Sequence, residues 1–204
     1  MPSVLVLFAH PGHRHSVANR QMAALAEGLE DVTFVDLYAR YPRHKIDIDV
    51  EQQQLLDHDI IIFQFPLMWY STPSLLKEWQ DLVLEYGFAY GEGGTALKGK
   101  SVLCAITVGG PKDAYNPEGS NRFFLRQMLS PLEQTANLCG MEFLPPYCLF
   151  ASLKARSDER LETHVETYGK LLKGLADGKL GQTSLAGHEL LAANDITAIL
   201  EGAT

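Results

Sequence analysis

Three short stretches of this 204-residue chain bring together residue types that could hold a flat, phosphorylated molecule. The first runs from His10 to Ser16 and ends in a hydroxyl where a helical period begins. Backbone N–H groups of Val17, Ala18 and Asn19 would open that helix as unpaired donors. With the helix dipole they make an anion site worth roughly 0.3–1 kcal/mol per charge, and a phosphate would fit. Taken alone, Ser16 is explained more simply as a helix N-cap. His10, His13 and His15 share the loop and raise the question of a metal, but no carboxylate or thiolate lies nearby in sequence to complete the ligand set.

The second stretch follows Pro66 and contains Leu67, Met68, Trp69, Tyr70, Ser71 and Thr72. Trp69 and Tyr70 could present edges or faces, and Leu67 and Met68 backbone groups, to a flat aromatic ligand. Core filling is the other reading of such a loop. The third stretch is Thr107, Val108, Gly109 and Gly110. Two glycines at a strand end let the backbone approach a ring and aim N–H groups at its carbonyl oxygens, although a plain glycine turn would account for the pair alone. An anion cradle, an aromatic wall and a glycine loop together point to a phosphorylated flat cofactor, with flavin mononucleotide (FMN) the obvious one.

These loops can cooperate only if the strands before them end at one edge. Asp59 opens an apolar run, Ile60 to Phe63, that continues through Gln64 to Phe65 and is stopped by Pro66. Such unalternating runs belong to strands covered on both faces. Pro73 then begins a segment in which Leu75, Leu76, Trp79, Leu82 and Val83 recur at helical spacing. Ser3 to Ala9 is a similar run, followed by a helix from about Ser16 with Ala18, Met22, Leu25 and Leu29 on one face. Val32 to Asp36 reads as a short strand, Leu37 to Val50 as a long connection, and Glu51 to His58 as a short helix with Leu55 and Leu56 buried. Tyr86 to Lys100, Gly-rich with Tyr86, Phe88 and Tyr90, reads as a surface excursion. Ser101 to Val108 is the next strand, and its loop runs to about Asn121. Ser130, Pro131 and Glu133 fit N-cap, N1 and N3 of a helix carried to Cys139 and closed by Gly140. Glu142 to Leu149 supplies a fifth strand whose Pro145 and Pro146 suit an edge, and Leu161, Val165, Tyr168, Leu172 and Leu175 mark a last long helix.

Five strands alternating with helices imply an α/β fold, a doubly wound five-stranded parallel sheet in the order 2-1-3-4-5. In that order the loops after the first, third and fourth strands meet beside the switch point, where open sheets bind ligands. Residues 1–178 would form this one domain, and residues 179–204 a tail that is either a docking helix or a mobile end.

The composition is that of an ordinary globular protein, with 21% charged and 46% hydrophobic residues, and so offers no reason to expect bulk disorder. A net charge of −8 argues against a phosphate-backbone partner and hence against nucleic acid. Val4 to Ala9 is too short for a signal-peptide core, and nowhere do 18 apolar residues follow one another, so the expectation is a cytoplasmic protein. Cys104, Cys139 and Cys148 form no CxxC pair and read as small buried hydrophobes. Gly94 to Ser101, GTALKGKS, matches the P-loop pattern, but a strand follows it where the mechanism needs a helix, so the match is coincidental. No GxGxxG follows the first strand, which counts against a nicotinamide dinucleotide bound in Rossmann fashion.

With these residues in view, the sequence resembles the flavodoxin-like NAD(P)H:quinone oxidoreductase family, the group that includes DT-diaphorase. The resemblance rests on AHP followed by Ser16 and Asn19, on QFPLMWYSTPSLLKEW, on GFAYGEGG, and on TVGG with Tyr115. Within the family it is closest to the KefF and KefG type, ancillary subunits of glutathione-gated potassium efflux systems, through SVANR, DLYARYPRHKIDID, FAYGEGGTALKGK and CGMEFLPP. It covers about residues 3 to 175. It implies a homodimer with flavin at the subunit boundary, NAD(P)H as donor, a quinone as acceptor and a ping-pong cycle. By matching motif, His10, Ser16 to Asn19, Pro66 to Tyr70 and Thr107 to Gly110 would hold the cofactor. Tyr90 would approach the substrate cavity from the partner subunit, and Tyr115 would steady charge on the reduced flavin. The family's catalytic His position holds Asn121. FMN rather than FAD follows from the closer subfamily, which also implies a potassium efflux antiporter as partner and a peripheral place at the inner face of the membrane. Three readings follow: a two-electron enzyme, a regulatory subunit using flavin as a structural or sensing element, and a one-electron flavodoxin. The His-rich first loop disfavours the last.

Overall fold

In the computed structural model, which describes residues 1–12 and 16–202, the first apolar run forms strand β1 (Val4–Phe8), with every residue buried. Helix α1 (Ala18–Glu27) follows and turns Ala18, Asn19, Met22, Ala23 and Ala26 inward. After strand β2 (Val32–Asp36), the stretch expected as a long connection contains helix α2 (Leu37–Arg40) and the early start of α3 (Ile48–Asp57). Each of these helices is capped by an aspartate. Asp36 accepts from the Ala39 N–H at 3.1 Å and Asp47 from the Val50 N–H at 3.2 Å. In α3 Leu55 is buried, but Leu56 is 48% exposed. Neighbours on a helix point about 100° apart, so the core contact that Leu55 makes turns Leu56 outward.

Strand β3 (Ile60–Pro66) is buried along all seven residues, and helix α4 (Ser74–Val83) packs Leu75, Leu76, Trp79 and Val83 inward while Leu82 stays exposed. The Gly-rich excursion before strand β4 (Ser101–Thr107) is pinned by buried Ala89 and Leu97, and its P-loop look-alike runs straight into the strand. Helix α5 (Leu125–Met128) occupies part of the segment that the sequence had left between loop and helix. Helix α6 (Ser130–Leu138) starts one residue earlier than expected, with Leu129 at its cap, and ends before Gly140, whose φ of +69° favours glycine. Strands β5 (Glu142–Phe143) and β6 (Tyr147–Leu149) both run parallel to β4, interrupted where Pro145 and Pro146 offer no N–H. They are one broken fifth strand. Helix α7 (Arg160–Ala176) completes the family-type layer.

The sheet order is β2-β1-β3-β4-β5, all parallel, with Val4 opposite both Val32 and Ile60, and Ile60 opposite Ser101. Alternate residues face opposite layers. Leu5, Leu7, Ile61 and Phe63 join Trp79 and Leu97 on one side, whereas Val4, Val6, Ile60 and Ile62 join Met22, Tyr168 and Leu172 on the other. Beyond α7 lie helices α8 (Gln182–Leu185) and α9 (Ala193–Gly202). Leu185, Leu191 and Ile196 are buried in the α7 layer, and Leu191 exchanges hydrogen bonds with Pro146 O (2.8 Å) and the Cys148 N–H (2.9 Å). The segment thus lies along the broken edge. Parallel strands leave the loops after β1, β3, β4 and β6 at one end of the sheet.

Candidate functional site

The loops are tied together from beneath by a buried polar chain. Tyr168 on α7 donates its hydroxyl to Gln64 Oε1 at 3.0 Å, Gln64 Nε2 donates to Asn19 O at 3.2 Å, and Asn19 Nδ2 donates to Thr107 Oγ1 at 2.8 Å. Gln64 is the polar interruption in an apolar strand, and the chain explains it. Desolvated polar groups need such partners. Asn19 Oδ1 remains a buried acceptor with no partner among the described residues.

At the first loop, Ser16 Oγ accepts from the Asn19 N–H at 3.2 Å. Ser16 is therefore a helix cap, and the Asn19 amide is not the unpaired donor that the sequence suggested. The Ser16 hydroxyl proton is still available to a ligand, because a hydroxyl accepts and donates at once. His10 is buried, its Nδ1 accepting from the Gly12 N–H at 3.1 Å. His13 and His15 lie outside the described residues.

At the second loop the choice between core filler and exposed wall is decided by burial. Trp69 is 93% exposed and Tyr70 53%. Met68 and Ser71 exchange both backbone hydrogen bonds (3.1 and 3.0 Å), and the two residues between them have φ of +48° and +65°. Bulky side chains rarely adopt this left-handed geometry, and a two-residue turn normally places Asn or Gly there. The turn lifts both rings off the sheet. Pro66 is the buried last residue of β3, and Leu67 donates its N–H to Thr107 O at 2.9 Å, joining the second loop to the third.

At the third loop neither glycine has a left-handed φ. A methyl group on Gly109 would meet nothing within 4 Å, whereas one on Gly110 would lie 3.1 Å from the Tyr115 ring. Leu67, Trp69, Tyr70, Gly109, Gly110 and Tyr115 line a common cleft of about 290 Å³. Asn121 also lines it and accepts from the Tyr70 hydroxyl at 3.2 Å, a contact between loops that the sequence could not reveal. Burial pushes the Tyr115 phenol above its usual pKa, partly offset by the Gly110 backbone and then the Asn121 side chain, so at neutral pH it is a donor.

Other expected site residues lie apart from this cleft. Ser16 and Val17 line a separate cleft of about 500 Å³ between α1 and β2, which Arg156 also joins. Arg156 was not singled out in the sequence; its only signal is its place in the loop after the fifth strand. Tyr90 packs edge-on against Tyr86 (centroids 5.8 Å) and does not line the 290 Å³ cleft within one chain.

A profile described as a flavodoxin-like fold matches residues 2–172. The glutathione-regulated potassium-efflux system ancillary protein KefG of Serratia proteamaculans (strain 568) is 48% identical over 172 residues, 84% of this chain and 93% of the relative. The solved structure of general stress protein 14 from Treponema denticola in complex with FMN matches with a TM-score of 0.77 and 33% identity, covering 88% of this chain and 100% of that one. An NADPH-quinone reductase from P. pentosaceus matches with a TM-score of 0.73 and 29% identity, covering 83% and 96%. The chain therefore belongs to the flavodoxin-like family, with KefG proteins among its relatives and quinone reductases among its structural neighbours.

Proposed function

We propose that this protein is a flavin-dependent NAD(P)H:quinone oxidoreductase that holds FMN at the carboxyl edge of its sheet. The observation that carries the reading is the cleft between the outward Trp69–Tyr70 turn and Gly109, where no protein atom occupies the methyl position. The residues present fit the cofactor. Ser16 keeps a donor for a phosphate, buried Asn19 Oδ1 can accept from a sugar-like hydroxyl, and Gly109 leaves space for a ring edge. His10 and Ser16 to Asn19 would hold the phosphate end, Pro66 to Tyr70 the ring wall, and Thr107 to Gly110 the pyrimidine end. When bound, the flavin would supply two-electron transfer from NAD(P)H to a quinone in a ping-pong cycle. The chain's own part is to fix orientation and to offer donors. The Gly109 and Gly110 amides and the neutral Tyr115 hydroxyl face the place where negative charge would gather, and fixed donors of this kind need no rearrangement during reaction.

The test is to purify the protein and identify any coloured ligand by visible spectrum and mass, then to follow NADH and NADPH oxidation with a benzoquinone. Protein that is colourless and takes up no FMN would overturn the reading. Exposed Trp69, Phe123 and Phe124 (93%, 60% and 47%) lie on the loops around this cleft and support a homodimer in which Tyr90 reaches the partner's site. Light scattering that reports a monomer would count against that arrangement.

A second reading, compatible with the first, is an ancillary subunit of a potassium efflux antiporter, supported by 48% identity to KefG. Among the described residues no helix is long and apolar enough to cross a membrane, so attachment at the inner face would run through a protein partner. Co-purification with a neighbouring efflux protein tests it.

A further inference from the structure

A second cleft, of about 420 Å³, opens beside the broken edge strand. Its walls are the end of β6, the first turns of α7 and the start of α9, with Lys112 from the third loop. Ala193 and Asn194 come from the segment beyond residue 172, where the family match ends, so this chain builds the cleft with its own extension.

His164 lines the cleft and is only 3% exposed. Its ring stacks on Tyr147 (4.3 Å, 12°), which stacks in turn on Tyr168 (5.9 Å, 13°), and the Tyr147 hydroxyl donates to His164 O at 2.9 Å. The ring is thereby fixed, yet its buried Nε2 has no partner among the described residues. A polar atom in that position lowers stability unless something meets it. Burial lowers the His164 pKa to about 3, so the ring stays neutral and can donate one hydrogen bond without bringing a charge.

The charges around the cleft select the occupant. Lys112 and Arg160 face Glu159, leaving one net positive charge in a protein whose total is −8. Arg160 is already committed to Asp158 (2.8 Å) and Phe150 O (3.0 Å), whereas Lys112 forms no ion pair among the described residues. Leu149, Phe150 and Ala193 make the rest of the lining apolar. One free cation, one neutral donor and an apolar wall suit a monoanion with a flat body better than a multiply charged phosphate.

We propose that this cleft binds a small aromatic monocarboxylate, its ring against Phe150 and its carboxylate toward Lys112 and the Nε2–H of His164. Phe150 also touches the Tyr115 ring (5.6 Å, 61°), so an occupant would press on a wall of the flavin cleft described above. The binding claim does not rest on the flavin reading.

The experiment titrates the purified protein with benzoate, following the His164 ring resonances by NMR and the heat of binding by calorimetry, beside parallel titrations with benzyl alcohol and inorganic phosphate. The expected result is a saturable His164 shift with a Kd of about 1 mM, weakened at least about fivefold in Lys112→Ala and in His164→Phe. Lys112 is exposed, so its variant decides the matter if His164→Phe does not fold. No saturation, unmoved His164 resonances or unchanged affinity in Lys112→Ala would overturn the proposal. Phosphate or benzyl alcohol binding as tightly as benzoate would overturn the choice of a monocarboxylate. Colourless protein can be titrated in the same way, so failure here and failure of the flavin reading give different results.

Discussion

Gly109 and Gly110 are adjacent, yet the structure treats an added methyl group at the two positions differently. At Gly109 the new carbon meets no protein atom within 4 Å and the backbone has no left-handed φ, so alanine introduces no strain. Its effect on folding is then the smaller entropy of the unfolded chain, a gain of about 0.4–1 kcal/mol. For a chain of this size that is a rise in Tm of about 1–4 °C. At Gly110 the carbon lies 3.1–3.4 Å from three Tyr115 ring atoms. Tyr115 is 9% exposed, so the ring must push into its neighbours, and overpacking of this kind costs about 1–3 kcal/mol. If a ring edge sits at Gly109, the methyl that is harmless to the fold occupies its space, and FMN affinity should fall at least about tenfold. The assays are thermal melting of flavin-free protein and fluorescence titration with FMN. Gly109→Ala that melts higher but binds FMN as tightly as the parent would refute the placement of the cofactor. Equal destabilisation by both substitutions would refute the geometric argument itself.

Tyr115→Phe should retain FMN but slow its reduction by NAD(P)H by about 10²-fold, the typical cost of one lost charge-stabilising donor; stopped-flow absorbance reads this, and an unchanged rate removes Tyr115 from the mechanism. Trp69→Asn with Tyr70→Gly should recover part of the about 1–3 kcal/mol stored at each left-handed residue, raising Tm while lowering benzoquinone turnover; a lower Tm would show that the turn is unstrained. Glu51, fully buried, accepts from the Tyr41 hydroxyl (2.7 Å), Trp79 Nε1 (2.8 Å) and Arg40 (3.0 Å), so Glu51→Ala should cost about 3–5 kcal/mol in denaturant melts. Burial, and then Glu51, raises the Tyr41 phenol to about 12. Above pH 10 the unfolded chain loses that proton while the folded chain keeps it, so stability falls between pH 10 and pH 12, and Tyr41→Phe should flatten the fall.

Much of the scaffold was legible because burial on both faces leaves a one-dimensional mark. Val4 to Phe8, Ile60 to Phe65 and Val102 to Ile106 carry almost no polar residues, and the alternation with helices led to the order 2-1-3-4-5 that the structure has. Pro145 and Pro146 announced the broken edge strand, because a residue without an N–H cannot continue a ladder wherever it sits. Asp36 and Asp47 carried cap signals for α2 and α3 as well, although the stretch between them read as a plain connection.

The candidate site was legible only as types of loop. Residue identity allowed Ser16 to be a cap or a phosphate donor and Trp69 to be filler or wall, since each choice depends on what lies opposite in space. The polar chain from Tyr168 through Gln64 and Asn19 to Thr107 spans four elements, and no local pattern encodes a hydrogen bond between residues 104 positions apart. The sequence by itself determined which segments are strands, how they follow one another and which loops carry chemistry, because periodicity, proline and glycine act on the chain locally. Tertiary structure alone decided that Trp69 points outward, that Gly109 is open while Gly110 is not, and that the last helices close a cleft over His164, because those facts are distances between residues the chain keeps far apart.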